Sequence, residues 1–262
     1  MHKCILVSLL ASGLATAAGA SPITVQYFTG SSAISDVNAA LTTIGPPSWI
    51  VEDFEDQSDF TGLFENGDKI DGTGTTKFGE IAGSIGTAVG SFTALGGIGT
   101  GSTCQALDRG TASDKECDNI ALQFDPDVNG QGNISPETGQ WSLNSADTKG
   151  LKWTVETGGV FSSVIFALRD PGDQNAKRLK ITGAGAVFDE NMPGLVGNND
   201  IVLARVDFGG QLTQAHIEIE TSRNDAFTID AASVNVVPLP AGVWMLLAGI
   251  GGLAALKRRK TA

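Results

Sequence analysis

Apolar and polar residues alternate with a period of two along much of this chain. Ala215, Ile217, Ile219 and Thr221 are interleaved with Gln214, His216, Glu218 and Glu220, as in a strand with one buried and one wet face. Val202, Ala204, Val206 and Phe208 alternate in the same way with Leu203, Arg205 and Asp207. Residues 160–168 form a denser apolar run, which suits a central strand covered on both faces. Further strands are expected at 23–28, 49–54, 120–124, 151–155, 178–181 and 227–236. Turn-forming clusters such as Asp170-Pro171-Gly172-Asp173 and Gly197-Asn198-Asn199 lie between them. The Gly-rich stretch 83–101 reads as a loose strand and loop near a sheet edge. No repeat of solenoid length is present. The expected fold is all-β, an antiparallel β-sandwich of jelly-roll type over residues 21–236, with a signal helix before it and a transmembrane helix after it.

The ends break this pattern. His2 and Lys3 precede an apolar run from Cys4 to Leu14, and Ala18-Gly19-Ala20 supplies the small residues a signal peptidase reads. Residues 1–20 are therefore expected to be a secretory signal peptide cut after Ala20. Cys4 lies inside the apolar run and not at the mature start, which argues against a lipid anchor. At the other end, 237–256 carries no charge and is about as long as a bilayer core requires. Lys257, Arg258, Arg259 and Lys260 follow at once. That cluster resists translocation, so a helix over 239–256 would hold the domain outside and the basic end inside. A buried C-terminal helix would need a polar face, and this segment has none.

Val237, Pro238, Leu239, Pro240 and Ala241, then an apolar helix, then the basic cluster, resemble a VPLPA-CTERM sorting signal, a variant of the PEP-CTERM type found on exported proteins of Gram-negative bacteria. The likeness covers the last 26 residues, 237–262. It implies processing by an exosortase, a membrane cysteine protease, with Val237 to Ala241 as its recognition residues. It also implies an inner-membrane-anchored precursor that ends on the outer surface or in an extracellular matrix, in company with exopolysaccharide or biofilm. Signal peptidase and exosortase are the implied processing partners.

Composition agrees with many short strands joined by turns: only 18 % of residues are charged, and 34 of 262 are Gly. Formal net charge is −12. Losing Lys3 with the leader makes it one unit more negative, and losing the basic end would make it four more. Such a polyanion repels nucleic acid and acidic lipid, so no nucleic-acid partner is expected. It suits divalent cations outside the cell, although a merely solvated acidic surface is the preferred explanation of the charge over any single ion site. Cys104 and Cys117 are the only cysteines of the expected mature chain, and an oxidising compartment favours pairing them. Closing so short a loop would stabilise by roughly 3 kcal/mol. Free thiols or metal ligation are the alternatives, and no second Cys or His pair stands nearby.

Catalytic signatures are sparse. His216 is the only His outside the leader, and no Gly-x-Ser-x-Gly elbow accompanies it. Zinc spacings and phosphate-binding Gly loops are absent from the sequence. Calcium is the better chemical candidate, because it takes several oxygen ligands from short acidic loops. Asp125, Asp127 and Asn129 have that texture, yet neither register of the loop closes on an acidic twelfth position, so a solvated turn competes with it. A second candidate comes from a resemblance. Val51-Glu52-Asp53-Phe54-Glu55 and Phe227-Thr228-Ile229-Asp230 look like the terminal strands of jelly-roll carbohydrate-binding modules. In those modules the matching carboxylates hold a structural calcium, which implies Glu55 and Asp230 here, with Ala231 where a second acidic residue is usual. Trp141 and Trp153 could stack on sugars, although a strand Trp is more often core. The reading that results is a non-enzymatic exported surface or matrix protein. A carbohydrate-binding module is the alternative. A matrix glycoside hydrolase is the second, since sequence spacing does not reveal which carboxylates pair in space.

Overall fold

The computed structural model describes residues 22–29, 49–56, 77–81, 83–96, 119–124, 140–170, 178–192, 201–221 and 226–237. The described residues contain strands and no helix. In chain order the strands are β1 (Thr24–Thr29), β2 (Trp49–Glu52), β3 (Lys77–Ile81), β4 (Ser84–Thr87), β5 (Gly90–Ala94), β6 (Ile120–Phe124) and β7 (Trp141–Asn144). They continue as β8 (Gly150–Val155), β9 (Val160–Arg169), β10 (Arg178–Gly183), β11 (Ala186–Asn191), β12 (Ile201–Leu212), β13 (Ala215–Glu220) and β14 (Thr228–Val237).

Two antiparallel sheets result, consistent with a β-sandwich. One has eight strands in the order β1-β12-β9-β14-β7-β6-β3, with β2 also paired to β14; the other has six, in the order β11-β10-β13-β8-β5-β4. The period-two pattern explains how they meet. In the six-stranded sheet the register aligns Phe188, Ile181, Ile217, Trp153, Phe92 and Ile85 across all six strands. The facing sheet offers Val25, Val206, Val164, Val234 and Ile50 in one row, and Val202, Leu168, Ile229, Leu143 and Leu122 in another. These rows form one continuous apolar core, which removes their side chains from water and drives the sheets together.

Trp153 is the largest fully buried side chain. It stacks on Phe92 with ring centroids 5.4 Å apart and meets Phe166 of the opposite sheet edge-on at 6.0 Å. Its indole N–H donates to the Val89 carbonyl at 3.1 Å, so the ring is buried with its polar atom satisfied. The opposite face of the six-stranded sheet is polar. There Asp189, Lys180, Glu218 and Lys152 succeed one another across four strands, alternating in sign as cross-strand pairing favours.

The expected strands recur within two residues at each boundary, except that β12 runs on to Leu212 past the alternation that ended at Phe208, and 120–124 matches at both ends. Three corrections apply. Phe54 is not the end of a strand: β2 stops at Glu52, and Phe54 turns into the left-handed region (φ 58°) with its ring in the core. The Gly-rich stretch is ordered pairing where described, a hairpin of β4 and β5 at the edge of the six-stranded sheet. Strands β3, β7 and β11 were not expected from the alternation. The expected signal helix, transmembrane helix and Cys104–Cys117 pair lie outside the described residues. Among the described residues no helix is long and apolar enough to cross a membrane.

Trp153→Ala should destabilise by about 3–5 kcal/mol, the usual cost of emptying a buried aromatic site, measurable as a shift of the urea midpoint. Gly90 (φ 121°) lies so close to the Thr154 carbonyl that any Cβ would collide with it. Gly90→Ala should therefore lower the melting temperature more than Gly86→Ala, where nothing lies within 4 Å of an added Cβ.

Candidate metal centre

Strand β14 carries an irregularity at its middle. Its pairing with β9 advances from Asp230↔Ala167 to Ser233↔Ile165, so three steps on β14 oppose two on β9. That is a β-bulge, and Ala231 takes the left-handed conformation within it (φ 49°). The extra residue shifts the inward phase from Ile229 to Ala232 and Val234, and leaves Asp230 and Ala231 together on the outer side.

The bulge coincides with a change of neighbour. On the edge away from β9, Thr228 and Ile229 pair with β7, whereas Ala232 to Asn235 pair with β2. The start of β7 and the end of β2 therefore meet beside Asp230. Glu55 joins them: its Oε1 accepts from the main-chain N–H of Gln140 at 2.6 Å and of Trp141 at 2.9 Å. Phe54 fixes the approach, because its ring lies edge-on to Phe92, 5.6 Å between centroids. Asp53 Oδ1 accepts from the Glu55 N–H, and Glu52 Oε1 from that of Phe54.

Asp230 is fully buried. Its Oδ1 accepts from the Ala231 N–H at 2.6 Å, while Oδ2 has no hydrogen-bond partner. Burial pushes its carboxyl well above the usual carboxylate range. The Ala231 N–H opposes this, and the charges of Glu55, Asp53 and Glu52 push it further up. Burial also raises Glu55, against the lowering effect of the Trp141 and Gln140 N–H groups, with Asp53 adding to the rise. An orphaned buried carboxylate oxygen beside like charges calls for a proton or a cation.

A divalent ion is one candidate for that cation. Glu55 and Asp230 would hold it, and its charge would offset their repulsion. Among the described residues no three His, Cys, Asp or Glu side chains converge as a ready-made cage. The remaining ligands would be main-chain carbonyls and water, which calcium accepts readily.

Of the other sequence-derived candidates, only Trp141, Trp153, His216 and Val237 fall among the described residues. Asp125, Asp127 and Asn129 lie outside the described residues, just past the end of β6. Cys104, Cys117, Ala20 and Pro238 to Ala241 also lie outside them; Val237 is the last residue of β14, opposite Val160. Trp141 and Trp153 both belong to the core, Trp141 tilted against Phe124 at 4.9 Å, so neither offers a face to a sugar. His216 sits on the polar face of the six-stranded sheet with Nδ1 3.2 Å from Thr154 Oγ1. Burial and the Lys152 charge lower its pKa against the pull of Glu218. The Val51-to-Glu55 run signalled Glu55, but the nearness of Asp53 and Glu52 to Asp230 depends on the partner change along β14.

No family model matches this chain, and no curated protein matches it. Among solved structures it is similar to the enzymatically active domain of tailspike protein 4 from bacteriophage CBA120, at 12% identity and a TM-score of 0.26, over 73% of this chain. The chain spans only 20% of that tailspike chain. It is also similar to the Stig cyclase Fisc from Fischerella sp. TAU, at 12% identity and a TM-score of 0.23, over 74% of this chain and 86% of the other. Scores this low identify no function.

Calcium should raise the melting temperature of the purified protein relative to chelator. Binding confined to the folded state adds about 2.7 kcal/mol at a hundredfold excess over Kd. Asp230→Asn should abolish the increment and hold or raise the melt in chelator, since it removes a buried charge; Asp127→Asn should leave the increment unchanged. Identical wild-type melts would remove the ion. Separately, the NMR titration midpoint of His216 should lie below the ordinary value of about 6.5, and Lys152→Gln should raise it.

Proposed function

We propose that this chain is an exported, exosortase-sorted surface or matrix protein, non-enzymatic, deposited in company with exopolysaccharide. Its jelly-roll-like sandwich is tied where β2 and the last strand, β14, meet, by calcium held at Glu55 and Asp230. The observation that carries the reading is the match between the strand framework and the two targeting segments. The first strand begins at Thr24, shortly after Ala20, and the last ends at Val237, the first residue of the sorting motif. Pro238 has no N–H to extend the ladder, so an exit from the sheet at this point suits a processing site that must be reached by a protease.

The alternatives have less support. A carbohydrate-binding module would use exposed aromatics, and the two Trp residues named for that role are interior. A glycoside hydrolase needs two carboxyl groups that reach the scissile bond. The charge of Glu55 reaches Asp230, but Asp230 is wholly buried and one oxygen of Glu55 is committed to two N–H donors. That arrangement suits holding an ion better than attacking a sugar.

Replacing Pro238 and Pro240 should leave export intact and block tail processing, because the leader alone opens the export route. Fractionation with a C-terminal epitope reads both. A wild-type tail that stays uncut in a host with a matching exosortase would overturn the sorting reading.

A further inference from the structure

We propose that the Ser142 hydroxyl is a further oxygen ligand for the calcium at Asp230, entering the site from β7. The inference rests on the cation reading of the Glu55–Asp230 pair and adds a neutral ligand to it.

Register places Ser142 beside Asp230. Strands β7 and β14 pair Asn144 with Thr228 and Leu143 with Ile229. The next positions in that register are Ser142 and Asp230. The bulge lies beyond this step, because Asp230 still pairs with Ala167 on its other side. Leu143 and Ile229 both lie in the core, and successive strand residues point to opposite faces. Ser142 and Asp230 therefore share the outer face of the eight-stranded sheet as cross-strand neighbours. Just before Ser142, the Trp141 N–H donates to Glu55 Oε1 at 2.9 Å, so Glu55 approaches the same end of β7.

Both neighbours are 0% exposed, and Ser142 Oγ and Asp230 Oδ2 have no hydrogen-bond partner, not even each other. Leaving one such atom unsatisfied in the interior is costly, and a single group bound between the two satisfies both. The next polar side chains of this face are already engaged. Asn144 Nδ2 donates to Gln123 Oε1 at 2.6 Å, and Asn144 Oδ1 accepts from the Ala146 N–H. Asp230 Oδ1 is likewise taken by the Ala231 N–H. The oxygens left for a guest are thus Oδ2 of the aspartate and Oγ of the serine. Calcium gathers six to eight oxygens from mixed sources. A hydroxyl contributes a lone pair without adding to the like charges already acting on Asp230.

The test is calorimetric titration of the full signal-cleaved chain in detergent with calcium, beside terbium luminescence excited through tryptophan. Terbium stands in for calcium, and its decay rates in water and in deuterated water count the waters on the ion. Ser142→Ala should weaken calcium binding by about tenfold. It should also add about one water to the bound terbium, in the place the hydroxyl leaves. In chelator the same variant should melt no lower than wild type, since it removes an orphaned hydroxyl. A residue that merely packs the site would instead lower the melt with and without calcium and leave the water count alone; that pattern would overturn the proposal. Wild-type affinity and water count in Ser142→Ala would overturn the hydroxyl's role and leave the Glu55–Asp230 site standing. An absence of calcium binding in wild type would overturn both the hydroxyl's role and the cation reading.

Discussion

A strand edge can hydrogen-bond only one neighbour at any point along its length, and β14 has three neighbours. Strand β9 takes one edge, while β7 and β2 divide the other. The division forces a seam where one partner ends before the next begins. Main-chain donors of the exposed Gln140 and of Trp141 fall at that seam, left without a partner among the described strands there. Glu55 satisfies both. The bulge at Ala231 then lets inward residues on either side of the seam address the same core. The price of this solution is a buried carboxylate at Asp230, and the chemistry of the site follows from it.

The rest of the fold is simpler in kind. Rows of apolar side chains cross each sheet in register, and Trp153 links them through Phe92 on its own sheet and Phe166 on the other. The exterior of the six-stranded sheet carries paired opposite charges, with Lys180 Nζ 3.0 Å from Glu218 Oε2 and a bidentate Arg178–Asp189 contact. Exposed pairs of this kind contribute little to stability. They keep a half-wet sheet soluble and fix which face is outside.

Legibility in the sequence followed the alternation. Strands β12 and β13 announce themselves because one face is wet, so polar and apolar residues take turns along them. The sequence of β7, Trp-Ser-Leu-Asn, also alternates, but four residues are too few to stand out, and both faces are buried. Strand β11 exposes Val187 and buries little, so its pattern carries no core signal. The phase break at Ala231 was invisible because Ala-Ala-Ser fits either face. The pairing of Glu55 with Asp230 was suggested only through resemblance. Nothing in the spacing of residues 55 and 230 says that β14 changes partners where Asp230 sits, and that change is what gives Asp53 and Glu52 their bearing on the buried carboxylate.

The position of Val237 has a mechanical side. Strand β14 lies in the interior of its sheet, with its last residues paired to β9. Antiparallel ladder bonds run perpendicular to the strand. A pull on the chain beyond Val237, directed along β14, would load the rungs to β9 in parallel instead of peeling them one by one. A domain pulled through this central strand would therefore be gripped in shear. Strand β1, at the sheet edge, is the end that would unzip first.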